Sequence, residues 1–155
     1  MPANTSPIYG LTPNVGFVNI TQTAALTRSD GVGVISGGTQ TLFVAFTAGA
    51  NGSFVQKVRF LPVASAAGVT TIATTLRVYI STTNTGTTTT SNCFLIGEVS
   101  VPGLTTAAAN ATAAVNYYEL PLNFAIGTGE YILVSQHVAQ TANQNWLAVV
   151  IGSDY

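Results

Sequence analysis

Few side chains in this chain can do acid–base or nucleophilic chemistry. There is one histidine, His137, one cysteine, Cys93, and five acids: Asp30, Glu98, Glu119, Glu130 and Asp154. A hydrolytic site gathers several such groups around one reacting atom. His137 stands between Gln136 and Val138 in an apolar run, where the plain reading is a strand histidine with a hydrogen-bond partner. No Gly-x-Ser-x-Gly elbow marks any of the serines as a nucleophile. A zinc site draws on several His or Cys ligands, and the acids are too dispersed along the chain for a calcium cage. The chain therefore reads as a non-enzyme, with no catalytic, metal or cofactor-binding residues.

Four further features bear on chemistry. Cys93 lies in the apolar run Cys93-Phe94-Leu95-Ile96, which suits a small buried hydrophobe, and alone it forms no intrachain disulfide. The glycine-rich stretch from Gly31 to Gly38 lacks the lysine of a phosphate loop and the third glycine of a dinucleotide fingerprint, so it reads as a flexible loop. Arg28-Ser29-Asp30-Gly31 is a compact charged feature. Either Asp30 caps the turn and Arg28 pairs locally with it, or the two form a salt bridge to another subunit. Asn143-Gln144-Asn145-Trp146 sets an aromatic among amides; it reads either as a sugar-binding face or as core and interface packing.

The frame around these residues is unusual in charge. The chain has 155 residues and a net charge of −1, and only 6% of its residues are ionic, against about 25% in an ordinary soluble domain. That length suits a single domain with its own core. The charge balance offers no footprint for nucleic acid. No apolar run is long enough to span a bilayer, and the start of the chain lacks the basic and apolar regions of a signal peptide. The Asn-x-Ser/Thr sequons at Asn4, Asn19, Asn51 and Asn110 are read as accidents of a Thr-rich composition. A surface so poor in charge is weakly protected against self-association, which makes sense if neighbours cover it. The chain reads as a subunit of an assembly.

The elements that position these residues are strands. Pro2, Pro7 and Pro13 make residues 1–13 an extended arm, which either lies across a neighbouring subunit or frays. Strands are predicted at 15–20, 41–47, 54–61, 76–80, 94–101, 115–122, 131–138 and 146–151. The Asn51-Gly52 turn, the Thr-rich loop at 81–90 and Pro102-Gly103 separate some of them. In the third, Phe54, Gln56, Val58 and Phe60 would share one face, with Val55, Lys57, Arg59 and Leu61 on the other. In the fourth, Leu76, Val78 and Ile80 point in, Arg77 and Tyr79 out. Residues 105–114 read as a loop with one helical turn at most. Eight short strands with long connections predict an all-β, eight-stranded jelly-roll β-sandwich over 14–155.

Several segments, taken together, resemble a family of small virion-associated structural proteins of tailed bacteriophages and prophages. They are Arg28 to Gly31, Phe46-Thr47-Ala48-Gly49-Ala50-Asn51-Gly52-Ser53, the alternating strand Val55 to Phe60, the turn Ala67 to Thr71, Leu76 to Ile80, and the close Gly152-Ser153-Asp154-Tyr155. This chain departs from the family pattern by inserting Ser29 into the Arg-Asp-Gly turn and by a longer Thr loop at 81–92. The resemblance implies a virion structural protein, assembled in the host cytoplasm and located at the capsid surface. The reading drawn from it is a capsid decoration (cement) protein, a homotrimer bound to the major capsid protein. The alternative is a tail or head-fibre component that binds a host glycan. Candidate contact residues are Pro7, Tyr9, Pro13, Arg28, Asp30, Trp146 and Tyr155.

Overall fold

The computed structural model describes residues 10–21, 42–64, 70–84, 92–104, 116–139 and 144–155. Expectations placed on residues 1–9, on 22–41 (with Arg28, Asp30 and the glycine-rich stretch), on 65–69 (with the start of the Ala67 to Thr71 turn), on 85–91, on 105–115 and on Asn143 lie outside the described residues.

Runs rich in Val, Ile, Phe and Tyr form the strands, as β-branched and aromatic side chains fit a pleated, half-buried surface. The strands are β1 (Thr12–Ile20), β2 (Phe43–Thr47), β3 (Ser53–Ala64), β4 (Thr74–Ser81), β5 (Cys93–Val101), β6 (Tyr118–Ile126), β7 (Tyr131–Gln136) and β8 (Gln144–Asp154). They form two four-stranded antiparallel sheets, ordered β1-β8-β3-β6 and β2-β7-β4-β5. Only β4 and β5 are both consecutive and neighbours in one sheet; every other connection crosses between sheets. That is the jelly-roll connectivity, with two Greek keys wound together.

Between the sheets lies the main core, built around Ile20, Phe46, Val55, Val58, Phe60, Leu76, Val78, Ile132, Val134, Trp146 and Val150. A second apolar cluster of Leu42, Tyr79, Cys93 and Leu133 occupies the outer side of the β2-β7-β4-β5 sheet. Val44 and Leu95 pack beside it. Gly16 permits the close approach of β1 to β2, because a Cβ there would stand 2.0 Å from the carbonyl oxygen of Ala45. Gly52 supplies the positive φ, +88°, that the 48–53 turn requires.

The strand pattern agrees with the sequence in number and order, and differs in detail. In β3 the pairing shifts between Val55 and Lys57, against both β6 and β8. This bulge at Gln56 moves Val55 to the core side with Val58 and Phe60, and so breaks the simple alternation. The sixth strand runs three to four residues later than its hydrophobic pattern suggests, since β6 is Tyr118–Ile126. It tolerates Pro121 because β6 is an edge strand. β7 ends at Gln136, so His137 sits just past a strand rather than inside it. β1 begins at Thr12, which takes Thr12 and Pro13 out of the expected arm and into the sheet.

Candidate interaction surface

The acids among the described residues are each held by neighbours. Glu98 Oε1 accepts from Arg77 Nε at 2.7 Å. Glu119 Oε1 takes Arg59 Nη2 at 2.6 Å and Lys57 Nζ at 3.0 Å. The hydrogen bond from Arg59, then that from Lys57, lowers the Glu119 pKa below the ordinary carboxylate value. The Arg59 guanidinium also lies 4.4 Å over the ring of Tyr117, a cation–π contact. Glu130 Oε2 accepts from the Gly127 amide at 2.6 Å and closes the β6–β7 turn. Among the described residues, no three His, Cys, Asp or Glu side chains are grouped as a metal site needs.

Asp154 ties several segments together. Its Oδ1 accepts from Asn14 Nδ2 at 2.9 Å and from the Ser53 hydroxyl, which in turn accepts from the Gly49 amide at 2.9 Å. The hydrogen bonds from Asn14 and then Ser53 pull the Asp154 pKa below its ordinary value. Around it, the Leu11 amide donates to the Asp154 carbonyl at 2.7 Å and the Tyr155 amide to the Gly52 carbonyl at 3.2 Å. Asn51 Nδ2 donates to the Tyr155 carbonyl at 3.3 Å. The 48–53 turn, the start of β1 and the end of β8 are thus one clasp. The segments Phe46 to Ser53 and Gly152 to Tyr155 meet in it.

Arg77 and Tyr79 do face away from the main core, but they are buried there rather than exposed. The Tyr79 hydroxyl is 3.3 Å from Ser135 Oγ, and burial raises its pKa. His137 Nδ1 lies 3.4 Å from Arg77 Nη2, and the His137 amide donates to the Thr75 carbonyl at 2.8 Å. Cys93 is buried, and loss of solvation pushes its thiol pKa up to about 11. A dip lined by Ile80, Ser81 and Phe94 holds about 40 Å³, room for little more than water.

The outer face of the β1-β8-β3-β6 sheet has a different character. On β1 the outward side chains are Pro13, Val15, Phe17 and Asn19, with Leu11 in line before them. Leu11 is 80% exposed, Val15 55% and Phe17 72%. Beside them on β8, Val15 is paired with Ile151, Phe17 with Val149 and Asn19 with Leu147. Those three β8 residues are partly exposed, and β3 continues the row with Leu61 and Val63 before Lys57 and Arg59 supply charge.

Of the candidate contact residues, Pro13 lies exposed on this face, opposite Ser153. Tyr155 is partly exposed and tied into the clasp. Pro7, Tyr9, Arg28 and Asp30 fall outside the described residues. Trp146 is a correction: it is fully buried, edge-on to Tyr118 with ring centroids 6.2 Å apart. Its inward register on β8 removes the aromatic on which a glycan-binding face at 143–146 would rest. The sequence reading missed Leu11, Val15 and Phe17. Their signal is Gly16: a glycine within a strand marks a close backbone approach, so the opposite parity faces outward.

The strands define a jelly-roll β-sandwich. No family model matches this chain, and no curated protein matches it. Among solved structures it is similar to dimeric latent PorU from Porphyromonas gingivalis, at 12% identity and a TM-score of 0.30. The match covers 97% of this chain and 14% of that one, and a likeness of that size carries no argument about function.

Proposed function

We propose that this protein is a structural subunit of a bacteriophage virion, a decoration (cement) protein that stabilises the head by bridging capsid subunits. The observation that carries this reading is the outer face of the β1-β8-β3-β6 sheet, which supports the part of it that makes the chain a subunit of an assembly. It sets Leu11, Val15 and Phe17 in solvent, on a chain with 6% ionic residues. Patches of contiguous exposed apolar surface mark interaction sites, and the cores of interfaces are depleted in charge. The phage-like segments support the same reading, because Phe46 to Ser53 and Gly152 to Tyr155 build one clasp at the end of this face. The work is mechanical: surface shared between capsomers is buried against the pressure of packaged DNA.

The test is copy number per particle. Virions are purified, and this protein is quantified against the major capsid subunit. A copy number comparable with that subunit supports a shell-wide cement protein. A handful of copies places the protein in the tail and overturns the decoration role. Absence from the particle overturns the virion reading altogether.

A further inference from the structure

Sheet edges in soluble proteins carry devices that prevent pairing with other chains: charges, prolines, bulges or short length. Three of the four edges here have them. β6 carries Glu119, Pro121 and a bulge at Asn123, whose φ is +54°. β2 has five residues and a register shift between Val44 and Phe46. β5 carries Glu98, and its pairing with β4 shifts at Val78/Tyr79.

β1 differs. Its pairing with β8 runs without a shift from Thr12 to Ile20, and beyond Pro13 it holds no charge, no proline and no bulge. Among the described residues no strand pairs with its other side. The same strand bears the exposed Val15 and Phe17, and the exposed Leu11 stands just before it.

We propose that the outer face of the β1-β8-β3-β6 sheet, led by β1, is the contact between copies of this chain. Two arguments name a second copy as the occupant. The first is charge. Lys57, Arg59 and Glu119, the ions bordering the face, already pair with one another. Little charge is left to select a strongly charged partner, whereas another copy presents the same apolar stripe. An undefended edge is also present on every copy, so like meets like wherever the chain is concentrated.

The second argument is area. With strands about 4.8 Å apart and a rise of about 3.4 Å per residue, a four-stranded face nine residues long covers about 600 Å². Two such faces bury about 1,200 Å², the low end of a specific interface. The stripe on β1 and β8 alone would give about half of that. The contact therefore uses the whole face, and its strength depends on concentration.

This inference rests on the reading of the protein as an assembly subunit and adds the surface through which copies meet. The test is sedimentation of the full chain over a range of concentrations. Three variants are compared: Phe17→Asp, Leu11→Asp, and Phe94→Asp on the other sheet. Trp146 fluorescence checks that each is folded. The wild type is expected to rise with concentration from the 15.9 kDa monomer to a closed oligomer. Phe17→Asp and Leu11→Asp should each raise the concentration of half-association about tenfold or more, the effect of about 1.4 kcal/mol. Phe94→Asp should leave it nearly unchanged.

A wild type that stays at 15.9 kDa throughout overturns the proposal, as does a Phe94→Asp effect equal to that of Phe17→Asp. A monomer still abundant on virions overturns the contact between copies and leaves the virion reading standing. An oligomer absent from virions does the reverse.

Discussion

Replacing Asp154 tests whether the clasp holds the ends of the sandwich together. Its carboxylate accepts two side-chain hydrogen bonds, from Asn14 and from Ser53. A hydrogen bond to a charged group contributes about 1.5–3 kcal/mol when well shielded. Asp154 is only partly buried, so the two together contribute about 2 kcal/mol, and Asp154→Ala should cost about that much. Asp154→Asn keeps an acceptor in place and loses the charge assistance, which is about half the strength of such bonds, so it should cost about 1 kcal/mol.

The pH dependence has a fixed sign. The Asp154 pKa is lowered in the fold, so its contribution is present above the ordinary carboxylate pKa and is lost as pH falls through the folded value. The gap between wild type and Asp154→Asn should be full at pH 7 and close below about pH 4. Urea unfolding followed by Trp146 fluorescence measures both effects. With a slope of about 2 kcal/mol per molar, Asp154→Ala should lower the midpoint by about 1 M. An Asp154→Ala midpoint equal to wild type, or an Asp154→Asn gap unchanged down to pH 2, refutes the clasp.

Three other outcomes are expected. Trp146→Ala removes a fully buried side chain from between the sheets and should cost about 3–5 kcal/mol, read as a lower thermal midpoint by circular dichroism. Gly16→Ala places a methyl group against the Ala45 carbonyl and should cost about 1–3 kcal/mol as β1 is pushed off β2, read in the same assay. Cys93 should resist a thiol reagent at pH 8 in the native protein and react at once in urea, because burial keeps its thiol protonated.

Much of the fold was legible because strand periodicity is local. The run Leu76-Arg77-Val78-Tyr79-Ile80 identifies β4 without any tertiary information, and Asn51-Gly52 marks the turn between β2 and β3 by backbone chemistry alone. What failed was whatever depends on a partner strand. The extra residue at Gln56 exists only against β8, so Val55 was placed on the wrong face. Arg77 and Tyr79 take the outward side that alternation gives them, but alternation does not show what lies over that side, and both are buried. For Trp146 the amide neighbours left a sugar-binding face open beside core packing, and only the inward register of β8, with Trp146 opposite Ile20 and Pro62, decides for the core. The exposed stripe of Leu11, Val15 and Phe17 was hidden for the opposite reason: its composition is that of a core strand.

The place of β8 in the sheet sets the order in which the domain can be made. β8 lies between β1 and β3, and β1 has its ladder with β8, Thr12 opposite Asp154. While the ribosome is extending the chain, β1 and β3 wait for the strand that joins them. The first residues of the domain stay unpaired until its last ones have emerged, so this sheet closes after synthesis of the domain rather than during it. Contacts between residues so far apart in sequence make closure slow, in the millisecond-to-second range of all-β folds. Until then Val18 and Ile20, which the closed sheet turns into the core, are open to any nearby nascent chain.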